Sequence, residues 1–216
     1  MPLRTPKIFG IGFQKTGTST LHLALSQLGY ISQKGFFINH PKGIAIPPPL
    51  TAGKILPHAF ALAEHYDAFS DNPWPLLYRE LDRAFPGSKF ILTIRDPQRW
   101  IASVVGHFEK RPDDVAQWIY GVPFPLGNEA QYLATYQAHN TAVRSYFADR
   151  PQDLLEMDLE ANSGWQPLCK FLGILTPERP FPHANRSLER ERKQASTWRM
   201  AKSKLRRALS LPREAP

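Results

Sequence analysis

The sequence predicts an α/β domain built on a mainly parallel sheet. Short apolar runs, typical of buried strands, alternate along the chain with longer segments in which apolar residues recur at helical spacing. Apolar residues make up 42% of the 216 residues and charged residues 21%, which is typical of a folded domain. The 21 prolines, about twice the usual share, predict irregular connections and argue against a plain helical bundle.

The chain opens with a predicted strand, a polar loop and a helix. Residues 7–13 form an apolar run that predicts a buried strand. Leu21, Leu25 and Leu28 then recur at helical spacing as far as Gly29, and glycine commonly ends a helix.

The same reasoning predicts the remaining elements. Asp96 is expected to cap a helix that begins at Pro97, because Asp accepts from free N–H groups and Pro suits the first helical position. Residues 111–127 show no clear pattern. We expect further strands within 30–38 and at 68–70, 89–94 and 153–157, and further helices over 53–65, 74–85, 128–149, 165–172 and 187–209.

Positive charge is concentrated at the C-terminal end. Lys and Arg number 27 against 19 Asp and Glu, a formal net charge of +8. This excess predicts an anionic partner: nucleic acid, a membrane surface, or a phosphorylated or sulfated small molecule. Because the charge is terminal and no helix-turn-helix or RNA-binding aromatic motif is present, we expect no nucleic-acid partner. We expect a domain over 1–185 and a basic helical segment over 186–216, which is either solvated or in contact with an anionic membrane.

Cysteine usage and hydropathy bear on disulfides, metal sites, membrane spans and cellular location. The single cysteine, Cys169, lies in an apolar stretch, which predicts a buried thiol and excludes both an internal disulfide and a Cys-rich zinc site. The seven histidines show no metal-ligand spacing, so we expect no metal. No stretch reaches the ~20 apolar residues of a membrane span, and no signal-peptide core is evident, so we expect a cytoplasmic protein.

The most informative segment is residues 12–20, GFQKTGTST. Small residues between a buried strand and a helix N-terminus direct backbone N–H groups at one point, where the helix dipole adds positive potential. Lys15 adds a full charge, and the Thr and Ser hydroxyls add donors, so the segment predicts a phosphate site. The alternative is a Gly/Thr turn that only caps the helix. The segment differs from the nucleotide-triphosphate P-loop, because Thr18 stands where that pattern has lysine.

Two blocks resemble the sulfotransferases that use 3′-phosphoadenosine 5′-phosphosulfate (PAPS). Residues 15–21, KTGTSTL, resemble their 5′-phosphosulfate loop. Residues 91–103, ILTIRDPQRWIAS, resemble their 3′-phosphate motif, a strand followed by Arg and a helix that bears Ser. The resemblance covers about 7–185 and implies a P-loop-NTPase-like three-layer sandwich, with a central mainly parallel sheet flanked by helices.

The resemblance also implies roles for individual residues. Lys15 is expected to stabilise charge on the leaving phosphate. Arg95 and Ser103 are expected to hold the 3′-phosphate, Arg as a fork and Ser as a neutral donor. Arg186 is expected to reach the same phosphate, although the family's Arg-Lys-Gly signature is absent from this chain. The 5′-phosphate is expected to bind Gln14, Lys15, Thr16, Gly17, Thr18, Ser19 and Thr20.

An acceptor hydroxyl also needs a base. Cytosolic members of this superfamily carry a His where this chain has Asp71, at the end of the strand over 68–70. Asp71 can act as the base if burial raises its pKa, or it can cap the helix that begins near Pro73. His107 and His22 are further candidates.

The sequence therefore predicts a PAPS-dependent sulfotransferase that acts by in-line displacement on a hydroxyl or amine of a small-molecule or carbohydrate acceptor. Residues 40–57 and 112–128 are expected to wall the acceptor site. Alternatives are a P-loop kinase or NTPase, with Asp71 the only contender for a magnesium ligand, and an inactive nucleotide-binding homologue. The sequence does not indicate an oligomeric state.

Overall fold

A computed structural model describes residues 6–36, 38–39, 43–161 and 164–184. The chain divides into two units, Met1–Pro182 and His183–Pro216. Arg186 and the basic helix expected over 186–216 lie outside the described residues. No helix in the described ranges is long and apolar enough to cross a membrane.

A five-stranded parallel sheet forms the centre of the described part. Its strands lie in the order β2-β3-β1-β4-β5. Phe9 on β1 aligns with Phe69 on β3 and with Phe90 on β4, so β1 occupies the middle of the sheet. Successive strands are added on one side of β1 and then on the other, and this reversal leaves a crevice at the carboxyl ends of β1 and β4. The strands are β1 (Ile8–Gly10), β2 (Ser32–Lys34), β3 (Ala68–Ser70), β4 (Lys89–Ile94) and β5 (Leu154–Asp158).

Helices cover both faces of the sheet, which confirms the three-layer α/β prediction. Side chains along a strand alternate between faces, so Phe9 and Phe90 join the core under α2, α3 and α6, whereas Ile8 and Ile91 join the core under α1 and α7. Cys169 is buried on the α7 side, as predicted. The helices are α1 (Thr18–Gln27), α2 (Ala52–Ala63), α3 (Tyr78–Ala84), α4 (Pro97–Phe108), α5 (Asp114–Tyr120), α6 (Glu129–Tyr146) and α7 (Trp165–Leu172).

A third apolar cluster packs α4, α5 and α6 around the segment that follows β1. Phe13 lies in this cluster with four large aromatic side chains. Trp100 stacks on Tyr136 at 4.2 Å, and Tyr120 stacks on Tyr132 at 3.7 Å. The cluster gives the segment after β1 a rigid support on one side.

Most elements predicted within the described residues are confirmed, one differs, and one stretch without a prediction forms a helix. Asp96 caps α4 by accepting from the Arg99 N–H at 2.9 Å. The helix expected over 74–85 is instead a 3-10 turn (Trp74–Leu76) followed by α3, because Leu77 leaves the helical region at φ −110°. The unassigned stretch 111–127 contains α5, whose cap Asp113 accepts from the Ala116 N–H at 2.8 Å.

Candidate functional site

The loop between β1 and α1 is packed too closely for side chains at its two glycines. A Cβ on Gly12 would lie 2.1 Å from the Thr93 hydroxyl oxygen and 2.2 Å from the Thr93 carbonyl oxygen. Gly17 has φ +104°, and a Cβ there would lie 2.5 Å from a methyl of Leu159. The backbone of the loop therefore lies close against β4 and against the segment after β5. Residues 12–20, which form this loop and the start of α1, are termed the cradle.

The N-terminus of α1 presents unused backbone donors. Gly17 caps this helix without a side-chain hydrogen bond. Helix geometry leaves the first N–H groups without an intrahelical acceptor. Within the described residues, the N–H groups of Thr18 and Ser19 find no other acceptor. Together with the helix dipole, these groups make the end of α1 attractive to an anion.

Two charged residues beside the cleft have positive φ. Lys15 has φ +68° and Asp71 has φ +72°. This region costs a non-glycine residue about 1–3 kcal/mol, and such residues concentrate at functional sites. The loop and the end of β3 each carry one of the residues predicted from the sequence to act in catalysis.

Gln14 and Thr16 fasten the loop to its surroundings. The Gln14 amide nitrogen donates to the Tyr120 hydroxyl at 2.7 Å, and its amide oxygen accepts from Asn72 at 2.8 Å. The Thr16 hydroxyl donates to the Phe13 carbonyl at 2.6 Å. Because that bond uses its only proton, Thr16 accepts from the Thr93 hydroxyl, also at 2.6 Å. These side chains position the loop, and their contact with a phosphate stays a prediction.

His139 is a supporting residue that the sequence analysis missed. Its Nε2 lies 2.8 Å from the Ile11 carbonyl, and its ring stacks on Phe13 at 4.3 Å. Burial lowers the pKa of His139 to about 4, so the imidazole is neutral near pH 7 and donates from Nε2. The sequence did contain one signal that His139 faces the core. It lies three residues after Tyr136 and four residues before Val143, and both of these are buried on α6.

Arg95 lies beside the loop after β1. One nucleotide site formed by residues 15–21 and residues 91–103 requires this proximity. The Tyr136 hydroxyl accepts from the Arg95 N–H and donates to the Arg95 carbonyl, both at 2.9 Å, which holds the backbone at the end of β4. The guanidinium donates to the Lys15 carbonyl at 3.4 Å and pairs with Glu160 at 2.7 Å. Ser103 lies two helical turns further on, half-buried on α4.

Of the three base candidates, the structure brings only Asp71 to the cleft beside the loop. Its carboxylate accepts from the adjacent Asn72 N–H at 3.0 Å and lies 3.8 Å from the Lys34 ammonium. It accepts from no helical N–H group in the described ranges, so the capping role is not observed. His107 packs against the Phe108 ring on α4 and is absent from the described lining of the cleft, and His22 bonds Ser32 at 2.8 Å.

The cleft beside the loop has a volume of about 270 Å³. Its polar and charged lining consists of Gln14, Lys34, Asp71, Asn72, Arg111 and Asp113. Residues 112–128, which were predicted to wall the acceptor site, contribute to the lining of the cleft. No described residue of the other predicted segment, 40–57, lines the cleft, and residues between 34 and 38 do so instead. Its apolar lining consists of Phe36, Ile38, Phe108, Val115, Ala116, Tyr120, Pro123, Pro125 and Tyr132. No group of three or more His, Cys, Asp or Glu in the described ranges is arranged to hold a metal.

The chain is similar to known proteins over most of its length. A family model described as a sulfotransferase domain matches residues 7–125 and 112–190. A protein of Aspergillus versicolor named Ava biosynthesis cluster protein M is 28% identical over 233 residues, covering 89% of this chain and 85% of that protein. The family match includes the loop after β1, the end of β4 and the cleft.

Proposed function

Because the chain belongs to the sulfotransferase domain family, we propose that it transfers a sulfuryl group from PAPS to a hydroxyl or amine of a small-molecule or carbohydrate acceptor. The observation that carries this proposal is the 3.4 Å contact between the Arg95 guanidinium and the Lys15 carbonyl. That contact brings together the two segments that are predicted to bind anions, and a nucleotide with phosphates on both its 3′ and 5′ positions needs two such segments.

The residues of the cradle suit this donor. Its 5′ end would meet the α1 N-terminus, where Thr18 and Ser19 present N–H groups. Its 3′-phosphate would meet Arg95 and Ser103. PAPS supplies, when bound, the activated sulfuryl group that is transferred.

Lys15 is the proposed catalytic cation. Its ammonium is borne by a loop that Gln14 and Thr16 hold in place, so it can be directed at one site with little reorganisation. A preorganised positive charge stabilises the negative charge that builds on a leaving phosphate.

Asp71 is the proposed proton acceptor. It lines the same cleft as aromatic and aliphatic side chains that suit an acceptor with a ring. Its carboxylate lies 3.8 Å from the Lys34 ammonium, and a carboxylate can take a proton from an acceptor hydroxyl. The acceptor would thus enter from the cleft while the nucleotide occupies the cradle.

Ligand-dependent thermal stability tests this function. We expect 3′-phosphoadenosine 5′-phosphate at about 100 times its Kd to stabilise the protein by about 2.7 kcal/mol, which raises Tm by about 5–10 °C. ATP with magnesium is the comparison ligand. A shift only with ATP and magnesium would support a kinase or NTPase. Nucleotide binding without sulfuryl transfer to any of a panel of phenols, alcohols, amines and sugars would support an inactive homologue.

A further inference from the structure

We propose that Arg99 is a second arginine of the 3′-phosphate subsite and that Glu160 is an internal counter-anion, which the phosphate displaces. This inference rests on the proposed function, since it concerns the same nucleotide site. Arg99 lies within the block of residues 91–103 but has no role assigned to it there, and Glu160 lies outside both blocks.

Glu160 bridges the two arginines. One carboxylate oxygen lies 2.7 Å from Arg95 Nη2, and the other lies 3.1 Å from Arg99 Nη1. A single anion therefore already holds both guanidinium groups at one point. A phosphate has the same ability to bridge two arginines and carries more charge.

Helix geometry gives Arg99 independent support. Arg99 and Ser103 are four residues apart on α4, and residues at this spacing lie on the same helical face. Ser103 is the residue that the resemblance assigns to the 3′-phosphate. Arg99 thus lies on the face that leads from Arg95 to Ser103.

The carboxylate satisfies the arginines only in part. The two oxygens of Glu160 are divided between the two guanidinium groups, one at 2.7 Å from Arg95 and the other at 3.1 Å from Arg99. The buried Nε of Arg95 has no acceptor within the described residues. A phosphate, with three oxygens, can offer more acceptors than Glu160 does.

The release of Glu160 requires little rearrangement. The Asp158 carboxylate accepts from the Glu160 N–H at 2.9 Å and from the Ala161 N–H at 3.2 Å, which holds the backbone of the turn. The Glu160 side chain is 38% exposed and that of Arg99 is 64% exposed. A pair as exposed as Arg99–Glu160 contributes little to stability. Rotation of the Glu160 side chain would free Arg99 and would also release Arg95, whose side chain is less exposed at 20%.

Calorimetric titration of the full chain with two nucleotides tests the proposal. The probes are 3′-phosphoadenosine 5′-phosphate and adenosine 5′-phosphate, which lacks the 3′-phosphate. We expect Glu160→Gln to tighten binding of the first by about threefold to tenfold, because a competing anion is removed. We expect Arg99→Ala to weaken it by a similar factor. Both variants should leave adenosine 5′-phosphate within about twofold of wild type.

Glu64→Gln is the matched control, since it removes the same charge from the exposed end of α2. Equal tightening by this control would assign the effect to net charge and overturn the proposal. Weaker binding in Glu160→Gln would show that Glu160 positions Arg95 rather than competes. Unchanged binding in Arg99→Ala would remove Arg99 from the subsite. If wild type binds neither nucleotide, the proposed function itself fails, whereas normal wild-type binding with unaltered variants refutes this inference alone.

Discussion

Protonation of His139 should destabilise the protein through the loop that it supports. Its imidazole is enclosed between Phe13 and the Ile11 carbonyl, and burial lowers its pKa to about 4 from the ordinary value of 6.5. The replacement His139→Gln keeps a side-chain N–H donor and removes the titration. The comparison of the two proteins isolates the imidazole from the carboxylates that titrate in the same range.

The sign and the size follow from proton linkage. Between pH 6.5 and about 4 the unfolded chain binds a proton on His139 that the folded protein does not bind. The contribution of His139 to stability is therefore full above pH 6.5 and is lost as pH falls towards 4. A shift of this size corresponds to about 3 kcal/mol.

Urea unfolding of wild type and His139→Gln at intervals from pH 7.5 to pH 4 measures this contribution. We expect the free energy of unfolding of wild type to fall by about 3 kcal/mol more than that of the variant over this range. Parallel curves for the two proteins would refute the reasoning, because they would mean that His139 titrates alike in the folded and unfolded states.

Three further predictions concern the cradle and the cleft. Lys15→Ala should lower sulfuryl-transfer kcat by about 100-fold or more, with the urea midpoint unchanged; normal kcat would remove Lys15 from catalysis. Asp71→Asn should lower kcat by about 100-fold while the calorimetric Kd for 3′-phosphoadenosine 5′-phosphate stays the same; unaltered turnover would exclude it as the base. Gly12→Ala should destabilise the protein by about 1–3 kcal/mol in urea unfolding, because its Cβ would meet Thr93 at 2.1 Å; a stability equal to wild type would mean that the loop has room to move.

Local chemistry made several elements predictable. The strands at 68–70 and 89–94 were expected with the same bounds that the structure has, because short apolar runs bounded by turn residues are local signals. Asp96 and Pro97 marked the start of α4, because helix capping is also a local signal. The split of 74–85 at Leu77 was missed, since its non-helical backbone is not encoded in the apolar spacing.

The site was predictable only as separate pieces. The loop after β1 and the end of β4 could each be predicted, separately, to bind an anion. Glu160 and His139 could not be assigned, because their partners are distant in the sequence: His139 meets Ile11, and Glu160 meets Arg95 and Arg99. The choice between capping and acid–base roles for Asp71 likewise depended on where its carboxylate lies.

By itself, the sequence determined the strand–loop–helix order, the glycines of the cradle and the residue types that can bind an anion. These properties depend on neighbours within a few residues, through backbone sterics, periodicity and capping. Tertiary structure alone decided that β1 lies between β3 and β4, that Lys15 therefore meets Arg95, and that an aromatic-lined cleft opens beside them. Such contacts depend on strand order and on the packing of helices on the sheet, which local spacing does not specify.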